Sequence, residues 1–319
     1  MQLLGVTVLV TAMWLGALLM PALEGEDTLT VAVGMWPGAE PLILAREAGE
    51  LPREKVNLVE INWASAAMRA LGNRVVDATV LSLDEAVRQI GQGYQLRIVL
   101  VTDISRGADA VIVRQGISDV RQLAGLRVGY EPRTVASVML DRCLRGGGLA
   151  LTGIEEVPMN PAETEEIFEE LKLDAVVISE PWIQRLRNLH LHTLYDSSMS
   201  GAEVMRVLAV HADALERHRD EVKALVRAHL KWMPRLRSLQ AELEPILRRE
   251  GVDRQTFLSI MDKLEVPTRE QNLRWLTGEN GALLQKMESL AGDVNVVGAE
   301  APAGWMAKVL DPSFVRNEP

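Results

Sequence analysis

The sequence predicts an α/β fold of two lobes, joined by two chain crossings and followed by a helical C-terminal segment. Strand-like and helix-like segments alternate from Leu29 to Val101, and a second alternating set begins after residue 114. Between the two sets, Thr102–Arg114 is a polar corner followed by an apolar, β-branched run. From Ala212 onwards, apolar residues recur at helical spacing. We therefore expect two open α/β sheets with right-handed crossovers.

The first set contains four runs with the apolar and β-branched composition of strands. They are Leu29–Val33, Val56–Asn62, Val75–Leu81 and Leu96–Val101. Helices are predicted between them at Leu42–Glu50, Ser65–Leu71 and Leu83–Ile90. Ser82 precedes the last of these helices and is a good N-cap. The fourth strand is fully apolar, which favours a central parallel position in the sheet.

The second set repeats the alternation. Its strands are predicted at Leu126–Tyr130, Glu155–Pro158, Asp174–Ser179 and Leu191–Tyr195. Its helices are predicted at Val120–Leu123, from Thr134 to Leu144, at Pro161–Leu171 and from Trp182 to Arg187. Two further apolar runs, Ala108–Arg114 and Val204–Val210, are interpreted as the outward and return crossings. We therefore assign residues 25–107 and 211–319 to the first lobe with its C-terminal helices, and residues 108–210 to the second lobe with both crossings.

The N-terminus carries a targeting signal. Leu3–Met20 is almost wholly apolar and uncharged, and Pro21 with small residues after it breaks the run. This pattern favours a cleaved secretory signal at residues 1–24. No Lys or Arg precedes the run, which keeps an uncleaved N-terminal anchor as the alternative. In either case we expect the rest of the chain to function outside the inner membrane, in the periplasm or an equivalent extracytoplasmic space.

Composition and motifs exclude several classes of function. The net charge is −10 without a long Lys/Arg run, which argues against nucleic acid as the main partner. A single cysteine, Cys143, allows neither an intrachain disulfide nor a cysteine-rich metal site, and its apolar neighbours suit a buried helix residue. The five histidines do not have the spacing of a metal site, and GxGxxG, P-loop, HExxH and GxSxG motifs are absent. We predict no cofactor, no metal and no catalytic residues.

Polar and aromatic residues collect where the predicted strands end. In an open α/β sheet this is the edge beyond which ligands bind. The residues at these ends include Trp36, Asn62, Trp63, Ser65, Ser82, Asp103, Ser105, Glu131, Thr134, Glu180, Trp182 and Asp196. Each type also has a structural explanation: Ser65, Ser82 and Thr134 are good helix caps, and the tryptophans could be core residues. Taken together, the set has the mixture of aromatic and aimed polar groups that is typical of a ligand pocket.

These residues belong to segments that resemble a known protein family. The segments are WPGAEPLILAREAGEL from Trp36, VVDATVLSLDEAVRQIGQG from Val75, VTDISRGADAVIVRQGISDVRQLAGLRVGYE from Val101, DAVVISEPW from Asp174 and DSSMSGAEVMRVLAV from Asp196. They are similar to the periplasmic substrate-binding proteins of ABC importers of the nitrate/sulfonate/taurine type, the SsuA/THI5-like or NMT1-like family. The resemblance runs from about Leu29 to the C-terminus.

The resemblance implies a type II periplasmic-binding-protein fold that closes by a hinge on a small ligand, without catalysis. It also implies a monomer that delivers this ligand to an ABC permease in the inner membrane. The ligand-binding residues that it implies are Trp36, Ser65, Ser82, Asp103, Ser105, Glu131, Thr134, Glu180 and Trp182. The chain departs from the family around Ala162–Leu173, where the second lobe is short. It also lacks the cysteine-rich motif of the THI5-like enzymes of pyrimidine-precursor synthesis.

Charge at the predicted cleft bears on the ligand. Asp103, Glu131 and Glu180 are acidic, and the evident cations there are Arg133 and Arg106. Since burying unpaired like charges is costly, we favour an amine-bearing ligand, such as an amino-sulfonate like taurine or an aminopyrimidine. Alternatively, the acids cap helices or pair with arginine across the hinge. A sensory or partner-binding domain with the same fold, or an enzyme, are the other functions that the sequence leaves open.

Overall fold

The protein forms two β-sheets flanked by helices in a computed structural model that describes residues 28–199, 201, 203–277, 281–292 and 308–316. The predicted signal or anchor at residues 1–24 lies outside these residues. Among the residues described, no helix combines the length and the apolar character needed to cross a bilayer.

The strands follow the predicted order along the chain. They are β1 (Leu29–Val33), β2 (Val56–Glu60), β3 (Ala78–Ser82), β4 (Leu96–Ser105), β5 (Asp109–Val113), β6 (Arg127–Tyr130), β7 (Glu155–Pro158), β8 (Ala175–Ser179), β9 (His192–Asp196), β10 (Val204–His211) and β11 (Leu264–Glu265).

Helices connect the strands and make up most of the C-terminal segment. They are α1 (Glu40–Glu47), α2 (Ala64–Gly72), α3 (Leu83–Gly91), α4 (Val135–Gly146), α5 (Thr164–Glu170), α6 (Trp182–Arg185), α7 (Ala212–Arg217), α8 (Arg219–Trp232), α9 (Glu244–Glu250), α10 (Arg254–Met261), α11 (Arg269–Thr277) and α12 (Ala282–Ala291). The segment predicted as a helix at Val120–Leu123 is a 3₁₀ turn.

The first sheet has the strand order β11-β4-β10-β3-β1-β2. β1 runs parallel to β2 and β3, whereas β10 is antiparallel to both β3 and β4. The prediction of a central parallel position for Leu96–Val101 is therefore wrong, because the neighbours of β4 are antiparallel. The cause is the return of the chain from the second sheet, which inserts β10 between β3 and β4. We call this sheet with its helices the first lobe.

The second sheet, with its helices, forms the second lobe and has the order β7-β6-β8-β5-β9. β6 is parallel to β7 and β8, and β5 is antiparallel to β8 and β9. In each lobe, the turns that follow the parallel strands open at one edge of the sheet, and these two edges face each other.

The runs interpreted as hinge crossings each lie within one sheet. Ala108–Arg114 contains β5 of the second sheet, and Val204–Val210 is most of β10 in the first sheet. Both runs are apolar because they are buried strands, and that composition does not distinguish a strand from a crossing. The chain passes between the lobes twice, between β4 and β5 and again between β9 and β10. The exact lobe boundaries stay a prediction, with residues 204–210 now placed in the first sheet.

A serine hydroxyl joins the two passages. Ser197 Oγ lies 2.7 Å from Ser105 Oγ and accepts a hydrogen bond of 2.7 Å from the Gly107 amide. Gly107 has a φ of +115°, a conformation that residues with a side chain rarely adopt. Both serines are fully buried, so the outward and return chains are fixed to one another at the hinge.

Each sheet has its own apolar core. In the first lobe, Val222, Leu225 and Val226 of α8 are completely buried, on the side that the helical spacing predicted. In the second lobe, Cys143 of α4 is buried among aliphatic side chains. Burial raises the pKa of its thiol to about 12, so it remains protonated and unreactive at neutral pH.

Candidate functional site

A cleft lies between the facing edges of the two sheets. It encloses a cavity of about 130 Å³. From the first lobe it is lined by the ends of β1, β2 and β3, and from the second lobe by the ends of β6 and β8. This is the position that the strand-end argument predicted, because turns after parallel strands converge at the same edge.

Six of the nine predicted ligand-binding residues line this cleft. They are Trp36, Ser82, Glu131, Thr134, Glu180 and Trp182. All six are at least nine-tenths buried, so the two lobes already enclose them. Their contact with a ligand remains a prediction, but their convergence gives the cleft its mixture of indole and carboxylate groups.

Asp103 and Ser105, also predicted to contact the ligand, lie in the protein interior instead. β4 continues through Thr102 to Ser105, beyond the apolar run that predicted its end, and pairs there with β10 and β11. Asp103 is fully buried and accepts hydrogen bonds of 3.1 and 3.2 Å from Trp36 Nε1. Ser105 is held by Ser197 at the hinge. Both residues support the cleft and the hinge from behind.

Ser65 contributes its backbone and is not among the side chains that line the cleft. Its amide, in the first turn of α2, donates a hydrogen bond of 2.9 Å to Glu131 Oε1. Glu131 belongs to the second lobe, so its carboxylate reaches across the cleft to the N-terminus of a helix in the first lobe. The positive end of a helix dipole stabilises a carboxylate in this position.

Glu85 makes the reciprocal contact. Its Oε2 accepts a hydrogen bond of 3.0 Å from the Ser82 amide, in the capping box that begins α3. Its Oε1 accepts another of 3.0 Å from the Val135 amide, at the N-terminus of α4 in the second lobe. Each lobe therefore supplies one glutamate that caps a helix of the other lobe.

Thr134 and Ser82 act as the helix caps that their sequence context predicts. Thr134 Oγ1 accepts a hydrogen bond of 3.2 Å from the Ala136 amide at the start of α4. Ser82 is the N-cap residue of α3. Capping accounts for the Thr134 side chain whether or not it also contacts a ligand, whereas the buried Ser82 Oγ has no hydrogen-bond partner among the described residues.

Arg206 is a cation at the base of the cleft. Its guanidinium lies 3.4 Å from the centroid of the Trp36 indole ring, which allows a cation–π interaction. It donates hydrogen bonds of 2.7 and 3.2 Å to Asp109 of the second lobe. A second carboxylate, Asp103, is 3.9 Å away. Because Arg206 is on β10 and Asp109 is on β5, this buried ion pair joins the two lobes.

The two aspartates beside Arg206 differ in their ionisation. Burial raises the pKa of Asp103, and the opposing effects of Arg206 and Trp36 do not offset it. Burial alone would also raise the pKa of Asp109, but the charge and hydrogen bonds of Arg206 outweigh it and lower that pKa. Asp109 is therefore the ionised partner that balances the arginine.

Glu180 provides a further contact between the lobes. Its Oε1 accepts hydrogen bonds from Gln184, at 2.5 Å, and from Lys263 of the first lobe, at 2.8 Å. Its Oε2 is buried and accepts no hydrogen bond from the described residues. A ligand donor is one group that could satisfy this oxygen.

The cations expected at the cleft are not there. Arg133 and Arg106 are both exposed, and Arg106 pairs with Glu265 on the surface.

Sequence reasoning missed Arg206 because it is embedded in the apolar run of β10, and it missed Glu85 because the sequence pattern marks this residue only as part of a helix. The capping-box spacing from Ser82 to Glu85 was the available signal. Trp63, noted at a strand end, does line the cleft.

Glu85 and Glu40 make the stability of the fold depend on pH. Burial, with a contribution from Asp84, raises the pKa of Glu85 from 4.5 to about 7. Burial raises that of Glu40 from 4.5 to about 7 as well. Between pH 4.5 and about 7, each of these glutamates is therefore protonated in the folded state and ionised in the unfolded state. Its stabilising contribution is complete below pH 4.5 and is lost as the pH rises to about 7.

We expect the free energy of unfolding to fall between pH 5 and 7.5, by up to about 1.4 kcal/mol per pH unit for each such group. His229 opposes this trend, since burial lowers its pKa to about 4. Urea denaturation of the protein and of Glu85→Gln measures the effect: the slope with pH should be smaller in the variant. Exposed Glu166→Gln is the control. Equal slopes in all three proteins would contradict the role of Glu85.

In the part of the chain that the structure describes, no group of three or more His, Cys, Asp and Glu side chains could hold a metal ion. The site thus consists of carboxylates, an arginine and tryptophans in a small cavity between two lobes.

Comparison with known proteins identifies others with this architecture. A curated protein of Escherichia coli (strain K12), named for binding aliphatic sulfonates, is 23% identical over 228 residues, which cover 63% of this chain and 72% of the relative. The crystal structure of the periplasmic aliphatic sulphonate binding protein SsuA of Escherichia coli has a TM-score of 0.70 at 18% identity, covering 89% of this chain and 97% of the other. A desulfurization enzyme shares the fold with a TM-score of 0.64 at 15% identity, covering 91% and 98%.

These similarities confirm the type II periplasmic-binding-protein fold with two α/β lobes. The model of the NMT1-like family matches residues 23–242, which is more than half of the chain. The protein is therefore a member of the NMT1-like family.

Proposed function

We propose that this protein is the extracytoplasmic solute-binding component of an ABC importer and that it binds a small polar ligand between its two lobes. The observation that carries the proposal is the cleft, whose lining comes from the strand ends of both lobes. A ligand that contacts both lobes stabilises the closed form and is released when they separate. The ligand class is either sulfonate-like, including taurine, or amine-bearing, such as an aminopyrimidine.

The rest of the proposal concerns the surroundings of the protein. Its family and its relatives support a location in the periplasm or another extracytoplasmic space, reached through the signal or anchor of residues 1–24. They also support an ABC permease as the partner, and we propose that the closed, ligand-bound form engages it as a monomer. A sensory domain of the same fold would bind its ligand in the same cleft but would have a different partner. Deletion of the gene would then leave uptake of the ligand unchanged.

An enzymatic function has one observation in its favour, the desulfurization enzyme among the fold relatives. Against it, the one cysteine of this chain is buried in the core of the second lobe, away from the cleft. Among the described residues of the cleft, Glu131, Glu85 and Arg206 are engaged in helix caps and an ion pair that join the lobes. We therefore propose binding without catalysis.

A ligand screen on residues 25–319 tests the proposal. A thermal-shift panel of sulfonates, nitrate, amines and aminopyrimidines should reveal stabilisation of about 2.7 kcal/mol by a true ligand at 100 times its Kd. Trp63→Ala should weaken the binding of that ligand about tenfold, since Trp63 lines the cleft and is 37% exposed. Because Trp63 is partly exposed, we expect the variant to fold, so that a change in affinity reports on the contact with the ligand.

The matched control is Val75→Ala, an exposed apolar residue that is not among the lining residues. It should leave affinity unchanged. If no compound in the panel stabilises the protein, or if Trp63→Ala and Val75→Ala have the same affinity as the parent, the cleft does not bind the ligand in the way proposed.

A further inference from the structure

Two backbone donors that could bind an anion in the cleft are already used within the protein. Helix N-termini are the usual backbone sites for sulfonate, phosphate or carboxylate groups. Here the Ser65 amide of α2 is bonded to Glu131, and the Val135 amide of α4 is bonded to Glu85. Two carboxylates of the protein thus occupy positions that the oxygens of a bound oxyanion would take.

The arginine of the cleft is engaged as well. Arg206 donates two hydrogen bonds to Asp109 and has Asp103 as a second acidic neighbour. A ligand anion would have to compete with a buried, ionised carboxylate for this cation. An incoming negative charge would also meet Glu131 and Glu180, so repulsion would add to the loss of these donors.

Hydrogen-bond acceptors, by contrast, are still available. Of the two carboxylate oxygens of Glu131, Oε1 accepts a hydrogen bond from the Ser65 amide. Its Oε2 accepts none from the described residues, so it is available to a ligand. Glu180 is fully buried and lines the cleft, and its Oε2 likewise receives none from any described residue. The indole ring of Trp63 also lines the cleft and offers a face that attracts a cation, whereas Trp36 and Trp182 already have Arg206 and Arg185 over their rings. A ligand that supplies N–H donors satisfies these groups.

We infer that Glu131 and Glu85 are specificity-determining residues, which fill the oxyanion positions of the cleft and make it select a ligand with an ammonium or amine group. Glu131 provides the clearer test of the two, because its Oε1 is bonded to the N-terminus of α2 and its Oε2 is left for the ligand. This inference rests on the proposed function, since it assigns a ligand class to the same cleft.

Two probes that differ by one amino group test the inference. Taurine and ethanesulfonate share the sulfonate and the carbon chain, so calorimetry with both isolates the effect of the amine. The parent protein should bind taurine at least about tenfold more tightly than ethanesulfonate, or bind neither of them detectably. In Glu131→Ala the α2 N-terminus is vacated and one negative charge is removed. Affinity for ethanesulfonate and nitrate should then rise at least about tenfold.

Two further variants separate the effect of the removed charge from the effect of the vacated helix N-terminus. Glu131→Gln removes the charge but keeps an oxygen on the Ser65 amide, so its gain should be smaller than that of Glu131→Ala. Glu166→Ala, an exposed glutamate of α5 in the same lobe, should bind like the parent. Circular dichroism on each variant establishes that the fold is retained.

Two results would overturn the inference: tight binding of ethanesulfonate or nitrate by the parent protein, or no gain for these anions in a folded Glu131→Ala. Tight binding of an anion by the parent would still support a solute-binding function. If instead Glu131→Ala gains the anions but no compound in the screen binds the parent, exclusion of anions by Glu131 is supported, whereas the proposed function and the amine selectivity that rests on it both fail.

Discussion

Replacing Arg206 by methionine is expected to lower the free energy of unfolding by about 3–5 kcal/mol, the range typical of a buried ion pair that loses one partner. Methionine can fill much of the space beside Trp36, but it leaves Asp109 buried without a counter-charge. Asp109 is only 2% exposed and its pKa is held low by Arg206. The penalty therefore comes from the remaining carboxylate as well as from the lost contacts.

Urea denaturation measures this loss, and Arg121→Met is the matched control. Arg121 forms an ion pair of 2.6 Å with Asp119, but it is exposed on the surface of the second lobe, where ion pairs contribute little. Adding Asp109→Asn to Arg206→Met should recover part of the stability, since it removes the uncompensated charge. If Arg206→Met costs no more than the control, Arg206 does not stabilise the junction of the lobes.

A single methyl group at Gly38 should have the second largest effect. A Cβ atom there would overlap the Asp103 carboxylate and lie 2.7 Å from Trp36 Nε1. Asp103 cannot move aside easily, because it is fully buried and hydrogen-bonded to Trp36 and Thr102. We expect Gly38→Ala to cost about 1–3 kcal/mol through overpacking and to weaken ligand binding by displacing Trp36.

Denaturation and the thermal-shift assay measure these two effects. Gly146→Ala is the control, because a Cβ atom at this position in α4 meets nothing within 4 Å. It should be neutral or slightly stabilising, by up to about 1 kcal/mol, since alanine is the better helix former. Equal stability of the two variants would show that Asp103 and Trp36 can adjust to the methyl group.

Much of the fold and part of the site could be predicted because strands and their ends leave local marks in the sequence. The apolar runs of β1 and β6 and the turns that follow them are examples. Trp36, Glu131 and Glu180 come directly after strands, and parallel strands bring their ends together whatever the lateral order. The cleft was therefore predictable from local pattern and one rule of topology.

The remaining features depend on pairing across the chain, which local pattern does not contain. Asp103 was predicted to face the ligand because the apolar run stops at Val101, but β4 continues to Ser105 because β10 pairs with it there, and Trp36 and Thr102 donate hydrogen bonds to the buried carboxyl group. Of the acidic residues expected at the cleft, Glu131 caps a helix of the first lobe and Glu180 pairs with Lys263, whereas the carboxylate that pairs with arginine across the hinge is Asp109. Only the distances between Glu131 and Ser65, or between Glu85 and Val135, could show which lobe each carboxylate joins.

The position of β10 has a consequence for how the chain folds. The second sheet is built from one continuous stretch, β5 to β9, and can be completed as soon as that stretch exists. The first sheet cannot, because β3 and β4 have no shared neighbour until Val204–His211 arrives from beyond the whole second lobe. Such contacts between residues about a hundred positions apart are the slow kind to form. The order of synthesis thus places the completion of the second sheet before that of the first.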